Sequence, residues 1–464
     1  MQTIDIHLLI IYGHHQHVHT TSSSLSMDAD RNGDVFTILA GRLFNPSIED
    51  FVDSQLITVS KRTGLIVDVH DYTAGTVNID LRHLTVLPGF VDAHVHMFLH
   101  SYSETSWTDQ LTKESLAERT IRATVHARKT LLAGFTTVRD LGTEGAGDAD
   151  LALRQCLAGP NPIIPGPRYF CANRALVATG SYGPKSSIHP HSEGIEGVTG
   201  AEVVDGIDEC IKAVRRQVGA GVDWIKIYAD YSARSRIASV SPAIGARAIP
   251  TFTYSEIEAM VQTAHALGVK VAGHAKTAEA VSNLLNAGAD SIEHGSEIYK
   301  DASLMGAFCD SQSTMWIPTL AVYHEMRHVS PQGWEDAQTS FRRALGMGMD
   351  NIACGGDTGP FPHGDNALEM KLMVRVGAPW KTVLRWATLG GWKCIRPMNW
   401  EEDQNGATGD NDIRFGTVKA GWAADLVALE GNLEDDFEGT LDRVSFVMRG
   451  GKVYKLDGKA VDGT

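Results

Sequence analysis

Residues 253–274 read TYSEIEAMVQTAHALGVKVAGH, and this stretch sets the fold. Thr253 with Glu256 forms a capping box, in which each side chain satisfies an orphan amide at the start of a helix. Ile257, Met260, Val261, Ala264 and Leu267 recur at helical spacing and make an apolar stripe. Gly268 ends the helix, because the position after a helix takes a left-handed backbone that costs other residues energy. A β-rich run, Lys270 to His274, follows at once.

The same unit recurs along the chain. Gly134 precedes Thr136 to Asp140, Gly221 precedes Asp223 to Ala229, Gly288 precedes Asp290 to His294, and Gly348 precedes Asn351 to Asp357. Candidate strands at Val86 to His96, Arg168 to Ala172 and Met315 to Val322 bring the total to eight. Helices alternating with short strands imply a parallel α/β architecture, and eight such units predict a distorted (β/α)8 TIM barrel over residues 87–412.

Outside that region the texture changes. Val35 to Ala40, Gln55 to Ser60 and Leu65 to Val69 read as short strands, as do Ala424 to Leu429, Arg443 to Met448 and Lys452 to Tyr454. Residues 34–86 and 413–464 are therefore expected to pair into a small composite β-sandwich domain. Residues 1–33 read as a flexible tail. Its apolar run, Ile6 to Tyr12, follows Asp5 rather than a basic stretch, so a cytoplasmic protein is expected, with secretion left open. His14, His15, His17 and His19 read as an adventitious metal-binding tract. Asp28 to Asp34 begins like a calcium loop, but position twelve is Leu39 where a bidentate Glu is needed.

Composition excludes several functions. The chain has 464 residues and a net charge of −15, from 41 Lys and Arg against 56 Asp and Glu. That balance argues against nucleic acid or an anionic membrane as partner, since both demand clustered cations. No apolar run approaches a membrane span. Six dispersed cysteines, with no CxxC, read as reduced thiols.

In a TIM barrel, functional residues belong at the C-terminal ends of strands, and the polar residues cluster there. The first strand ends Asp92-Ala-His94-Val-His96; residues two apart on a strand share a face, so both imidazoles point inward together. Asp92, on the same face, could orient a ligand imidazole. In the fourth strand, Ile225 and Ile227 face the helices, which sends Lys226 inward with Trp224 and Tyr228. The fifth strand ends in His274, the sixth in His294, and the eighth in Gly355-Gly-Asp357. Singly, each has a plainer reading: a core histidine, a surface lysine on a misassigned strand, an aspartate capping a turn. Six of them in order on repeating units are hard to explain that way.

This order resembles the amidohydrolase superfamily with a binuclear metal centre, and is similar to the imidazolonepropionase-like branch that includes Xaa-Pro dipeptidases and fungal ochratoxinases. The resemblance rests on Leu87-Pro-Gly-Phe-Val-Asp-Ala-His-Val-His96, Trp224-Ile-Lys226, Gly273-His274, Ser291-Ile-Glu-His-Gly295, Gly356-Asp357-Thr358 and Gly416 to Val427. It implies that His94, His96 and Asp357 hold one divalent metal and that His274 and His294 hold the other. Lys226 would bridge them as a carbamate, and zinc is the expected metal. It further implies that a hydroxide shared by the metals attacks an amide carbonyl, with Asp357 as general base and then acid. Substrates expected on this basis are N-acyl amino acids, dipeptides or ochratoxin-like amides. A cyclic-amide hydrolase or a deaminase on the same barrel is the alternative, and a catalytically silent scaffold is a more distant one. Lys226 argues against the mononuclear deaminases, which lack a bridging lysine. Relatives of this kind often assemble, so a homo-oligomer is expected.

Candidate substrate contacts are Tyr228 and His100 near the expected metals, Ser181 and Tyr182 after the third strand, and His363 after the eighth. His324-Glu-Met-Arg-His328 matches the HExxH signature of zinc proteases. No third ligand stands out downstream, so it reads as a surface helix after the seventh strand that could line the substrate entrance.

Overall fold

The structure, a computed structural model, describes residues 34–186, 188–189, 191–232, 241, 245, 247–398 and 413–461. The His-rich tract and nearly all of the calcium-like stretch lie outside the described residues.

The unit at residues 253–274 forms as its pattern dictates. Helix Tyr254–Ala266 starts at a reciprocal Thr253–Glu256 capping box, and Ile257, Met260, Val261 and Ala264 are buried beneath it. Leu267 is the exception, since it follows the last helical turn and is largely exposed. Gly268 turns the chain at φ +75°. Strand Lys270–Ala275 then runs parallel between Trp224–Tyr228 and Ser291–His294.

Parallel pairing extends this core in both directions. Phe90–Val95, Phe135–Asp140 and Arg168–Cys171 form one parallel sheet. Trp224–Tyr228, Lys270–Ala275, Ser291–His294 and Met315–Ile317 belong to a second. Backbone hydrogen bonds join the sheets at one seam, where Asp223 N donates to Cys171 O at 2.9 Å. At the other seam the segment 351–357 bridges them. Trp316 N donates to Asn351 O at 2.7 Å, Ala93 N to Cys354 O at 2.8 Å, and Asp357 N to His94 O at 2.8 Å. The result is a TIM-barrel-like α/β fold with helices on its outside.

Three expected strands are shorter than their sequence signals. Residues 86–96 split at Gly89, which packs on Thr136 so closely that an added Cβ would lie 2.1 Å from its Oγ1. Ile79–Pro88 therefore joins the strands of the chain ends, and Phe90–Val95 enters the parallel core. The seventh strand stops at Ile317, because Pro318 has no amide to donate and Thr319 turns to φ +50°. Helix Leu320–Glu325 follows directly. The eighth segment makes only an isolated bridge, Ile352 to Trp316.

The chain ends meet where Ile79–Pro88 pairs antiparallel with Leu426–Leu429. Pairing continues outward on both sides of this junction into one eight-stranded sheet. The expected composite domain is thus one in which strands from both chain ends hydrogen-bond into a single sheet. One face encloses Ile38, Ile57, Val86, Leu426, Phe446 and Met448. The other places Phe44, Leu87 and Val427 against the main core. All six cysteines are free thiols. Among the described residues no helix is long and apolar enough to cross a membrane.

Candidate metal centre

The alternation of strand Trp224–Tyr228 decides where Lys226 goes. Ile225 and Ile227 join the outer core, so Lys226 turns inward and is fully buried. Its Nζ has no hydrogen-bond partner among the described residues. A buried, unsatisfied amine is expensive unless something else binds there.

The other five expected ligands converge around one cavity of about 670 Å³, lined by His94, His96, His274, His294 and Asp357. Ligand atoms of His94, His96 and Asp357 lie within 4.8 Å of one another, a grouping suited to a metal ion. Asp357 Oδ1 is 3.2 Å from His96 Nε2 and 3.6 Å from His94 Nε2. Ring centroids step from His94 to His294 at 5.4 Å and from His294 to His274 at 4.4 Å. His274 Nε2, like Lys226 Nζ, is buried without a hydrogen-bond partner among the described residues. Two of these residues hold left-handed backbones rare for non-glycine residues, His294 at φ +74° and Asp357 at φ +62°. Such strain persists where the surroundings enforce it and gathers at functional sites.

Buried acceptors fix the imidazole orientations. His94 Nδ1 contacts Glu293 Oε2 at 2.8 Å, His96 Nδ1 contacts Gly142 O at 2.8 Å, and His294 Nδ1 contacts Thr319 Oγ1 at 2.8 Å. In each case Nε2 is the nitrogen left for a ligand. The orienting role expected of Asp92 belongs to Glu293 instead. Asp92 accepts from the backbone amides of His94 and Gly356 and from Asn366 Nδ2, so it ties the first strand to the eighth segment.

Burial sets the electrostatics. It pulls the Lys226 amine down to about 8, against the raising influence of Glu293 and Asp357. It also takes His294 down to about 3 and holds His94 and His274 well below the usual imidazole range. Neutral imidazoles are the form that ligates metals. Burial alone would raise Asp357, but His94 and His96 outweigh it and hold the carboxyl well below its ordinary value. Burial lowers His96, yet its hydrogen bond to Asp357 prevails and raises it to about 9.

The expected substrate contacts divide. Tyr228 and Tyr182 line the cavity. Ser181 is turned away, its hydroxyl donating to Ala178 O at 2.6 Å. His100 is buried against Glu114, with 2.8 Å from its Nε2 to Oε1. His363 lies beneath the first strand's end, its Nε2 between His96 O and Leu99 O, and stacks on His126. The HExxH stretch breaks into helix Leu320–Glu325 and a 3₁₀ turn, Met326–His328. Glu325 and His328 line the cavity, as expected of an entrance, while His324 packs edge-on to Trp334. The metal-suited group found among the described residues includes neither histidine.

Several cavity residues were missed in the sequence: Trp107, Glu144, Tyr231, Lys276 and Tyr323. Glu144 had a usable signal, a lone acid in a glycine-rich stretch just past the second strand. Glu293 had one too, as a carboxylate inside a strand buried along its whole length.

The chain is similar to known proteins. The amidohydrolase family model matches residues 85–399. Ochratoxinase from Aspergillus niger is 25% identical over 396 residues, covering 80% of this chain and 76% of that protein. A crystal structure of a Xaa-Pro dipeptidase with bound methionine in the active site superposes with a TM-score of 0.74 at 27% identity, covering 91% of this chain and all of that one. The crystal structure of A. niger ochratoxinase gives a TM-score of 0.73 at 21% identity over 93% of this chain and 98% of its own, a likeness of fold.

Proposed function

Because the chain belongs to the amidohydrolase family, we propose that it hydrolyses the amide C–N bond of a small molecule in the cavity around His94, His274 and Asp357. One observation carries this reading. The buried, unpartnered Lys226 amine lies on a strand beside the one bearing His274, which pairs in turn with the one bearing His294, and both histidines line the same cavity as the His94–His96–Asp357 group.

The donor set fits two divalent ions, with zinc suited to its imidazoles and carboxylate. His94, His96 and Asp357 would hold one ion, and His274 and His294 the other. Lys226, as a carbamate formed by adding carbon dioxide and losing a proton, would supply anionic oxygens to the ions; the unprotonated amine that reacts is favoured by the same burial that lowers its pKa. Bound ions would supply Lewis acidity toward the carbonyl oxygen and a water acidic enough to react near neutral pH.

The protein's own groups carry the rest. Asp357, held ionised by its histidine neighbours, would take a proton from the attacking water and return it to the leaving nitrogen. Glu293, Gly142 O and Thr319 fix the histidine orientations before substrate arrives. Tyr182, Tyr228 and Tyr323 wall the cavity with aromatic surface suited to a small organic substrate.

The test is a screen of metal-reconstituted protein against N-acyl amino acids, dipeptides and cyclic amides. Cleavage of an open-chain amide supports the reading. Cleavage confined to cyclic amides, or activity that survives Lys226→Ala but not His324→Ala, overturns it.

A further inference from the structure

Glu144 sits in the loop after strand Phe135–Asp140, only 3% exposed, with a left-handed backbone at φ +52°. Its neighbours Gly142 and Gly145 also take positive φ, so the loop is shaped to bring this one carboxylate to the cavity wall. Trp107 Nε1 donates to Glu144 Oε2 at 2.9 Å, and the Tyr182 hydroxyl donates to the same oxygen. Both bonds go to Oε2, which leaves Oε1 with acceptor capacity beside the cavity. No ion pair among the described residues involves Glu144. Arg119, one of several basic groups whose field reaches it, spends its guanidinium on the carbonyls of Phe98 and Thr143.

The surroundings of this carboxylate are aromatic. Tyr182 lies 5.6 Å from Trp107, 4.7 Å from Tyr228 and 5.0 Å from Tyr231 between ring centroids. All four rings line the cavity with Glu144. A carboxylate set among aromatic rings, two of which donate to it through in-plane N–H and O–H groups, can recognise an ammonium group through charge-assisted hydrogen bonding. An acylated, uncharged nitrogen would leave the buried carboxylate unpaired there, and that is a penalty against it. Lys276, two residues past His274, lines the same cavity, so a substrate bearing both charges meets both signs.

We propose that Glu144, with the rings of Trp107, Tyr182, Tyr228 and Tyr231, forms a cation subsite that selects amides carrying a free amino group over their N-acylated counterparts. This rests on the amide-hydrolase reading above and narrows it to dipeptide-like substrates.

The experiment compares metal-reconstituted full-length protein on alanyl-phenylalanine and on N-acetyl-alanyl-phenylalanine, as the ratio of the two kcat/KM values. The native protein is expected to favour the free amine, and Glu144→Gln to shrink that ratio by about tenfold to a hundredfold. Glu144→Asp should recover part of it. Because a ratio is read, partial loss of folded protein cancels. Calorimetric titration of the same proteins with phenylalanine amide and its N-acetyl form gives a second readout that needs no turnover. Equal preference for the two forms, preference for the acetylated one, or a ratio that Glu144→Gln leaves unchanged would overturn the subsite. Failure of the native protein on every open-chain amide would instead overturn the hydrolase reading itself.

Discussion

His94 Nδ1 and Glu293 Oε2 lie 2.8 Å apart, and both side chains are buried. A carboxylate can only accept, so Nδ1 carries the proton and Nε2 is the free nitrogen. Glu293 is held in turn by Arg139 Nη2 at 2.8 Å and by the Ser291 hydroxyl at 2.6 Å. A chain of contacts across three strands thus decides which nitrogen His94 shows the cavity.

Glu293→Gln should therefore weaken metal binding without removing a ligand. Partners of this kind typically contribute about 10-fold to 100-fold in metal affinity. Competition with a chromophoric chelator measures it. An unchanged affinity would mean that His94 needs no such partner or binds nothing.

Lys226→Ala should abolish hydrolysis, and a short carboxylic acid added to the medium should restore part of it by standing in for the carbamate. Lys226→Met makes a separate point. Replacing a buried amine that lacks a hydrogen-bond partner by an apolar chain of similar length should raise the melting temperature of the metal-free protein. A lower melting temperature would show that the amine is satisfied within the fold.

Gly355 leaves no space for a side chain. An added Cβ would lie 2.6 Å from Ile317 Cγ2 and 2.8 Å from the His94 amide nitrogen. Gly355→Ala must push the first and seventh strands apart, at a cost of about 1–3 kcal/mol. Denaturant unfolding should show that loss. Unaltered stability would contradict the close packing of segment 351–357 between those strands.

Glu369 gives a pH signature away from the ligands. Burial raises its carboxyl from 4.5 to about 8, although the Ala321 amide donates to it at 2.7 Å. A carboxyl raised on folding contributes stability that is present below its unfolded value and lost as pH rises through its folded value. Between about pH 5 and pH 8 the native protein should lose stability that Glu369→Gln retains, since glutamine still accepts from Ala321. Melting temperatures at the two ends of that range test it. Parallel profiles for the two proteins would remove Glu369 from the account.

The sequence exposed the parallel core because its cues are local. The capping box at Thr253, the glycines Gly134, Gly221, Gly268, Gly288 and Gly348 and the polar residues at the following strand ends lie within a few positions of the elements they mark. The breaks at Gly89 and Pro318 were harder. An apolar run reads as one strand, whereas the contact with Thr136 that splits it is tertiary. The sheet built by the chain ends showed its strands, whereas their order is set by pairings between distant segments that alternation does not specify. Residue identity picked out His94, His96, His274, His294 and Asp357, which the fold brings to one cavity, because six such residues, Lys226 included, in order at strand ends are hard to explain singly. It did not separate Tyr182, which lines the cavity, from Ser181 beside it, which turns back to Ala178. Glu144 and Glu293 left local signals, but the side chains that meet them, Tyr182 and His94 among them, lie far away in the chain, and no spacing rule reaches that distance.

The central claim is that Lys226 and five residues from other strands together hold a pair of metal ions. Elemental analysis of protein reconstituted with zinc in the presence of bicarbonate tests it most directly. About two ions per chain are expected for the native protein. One ion or none would contradict the paired site.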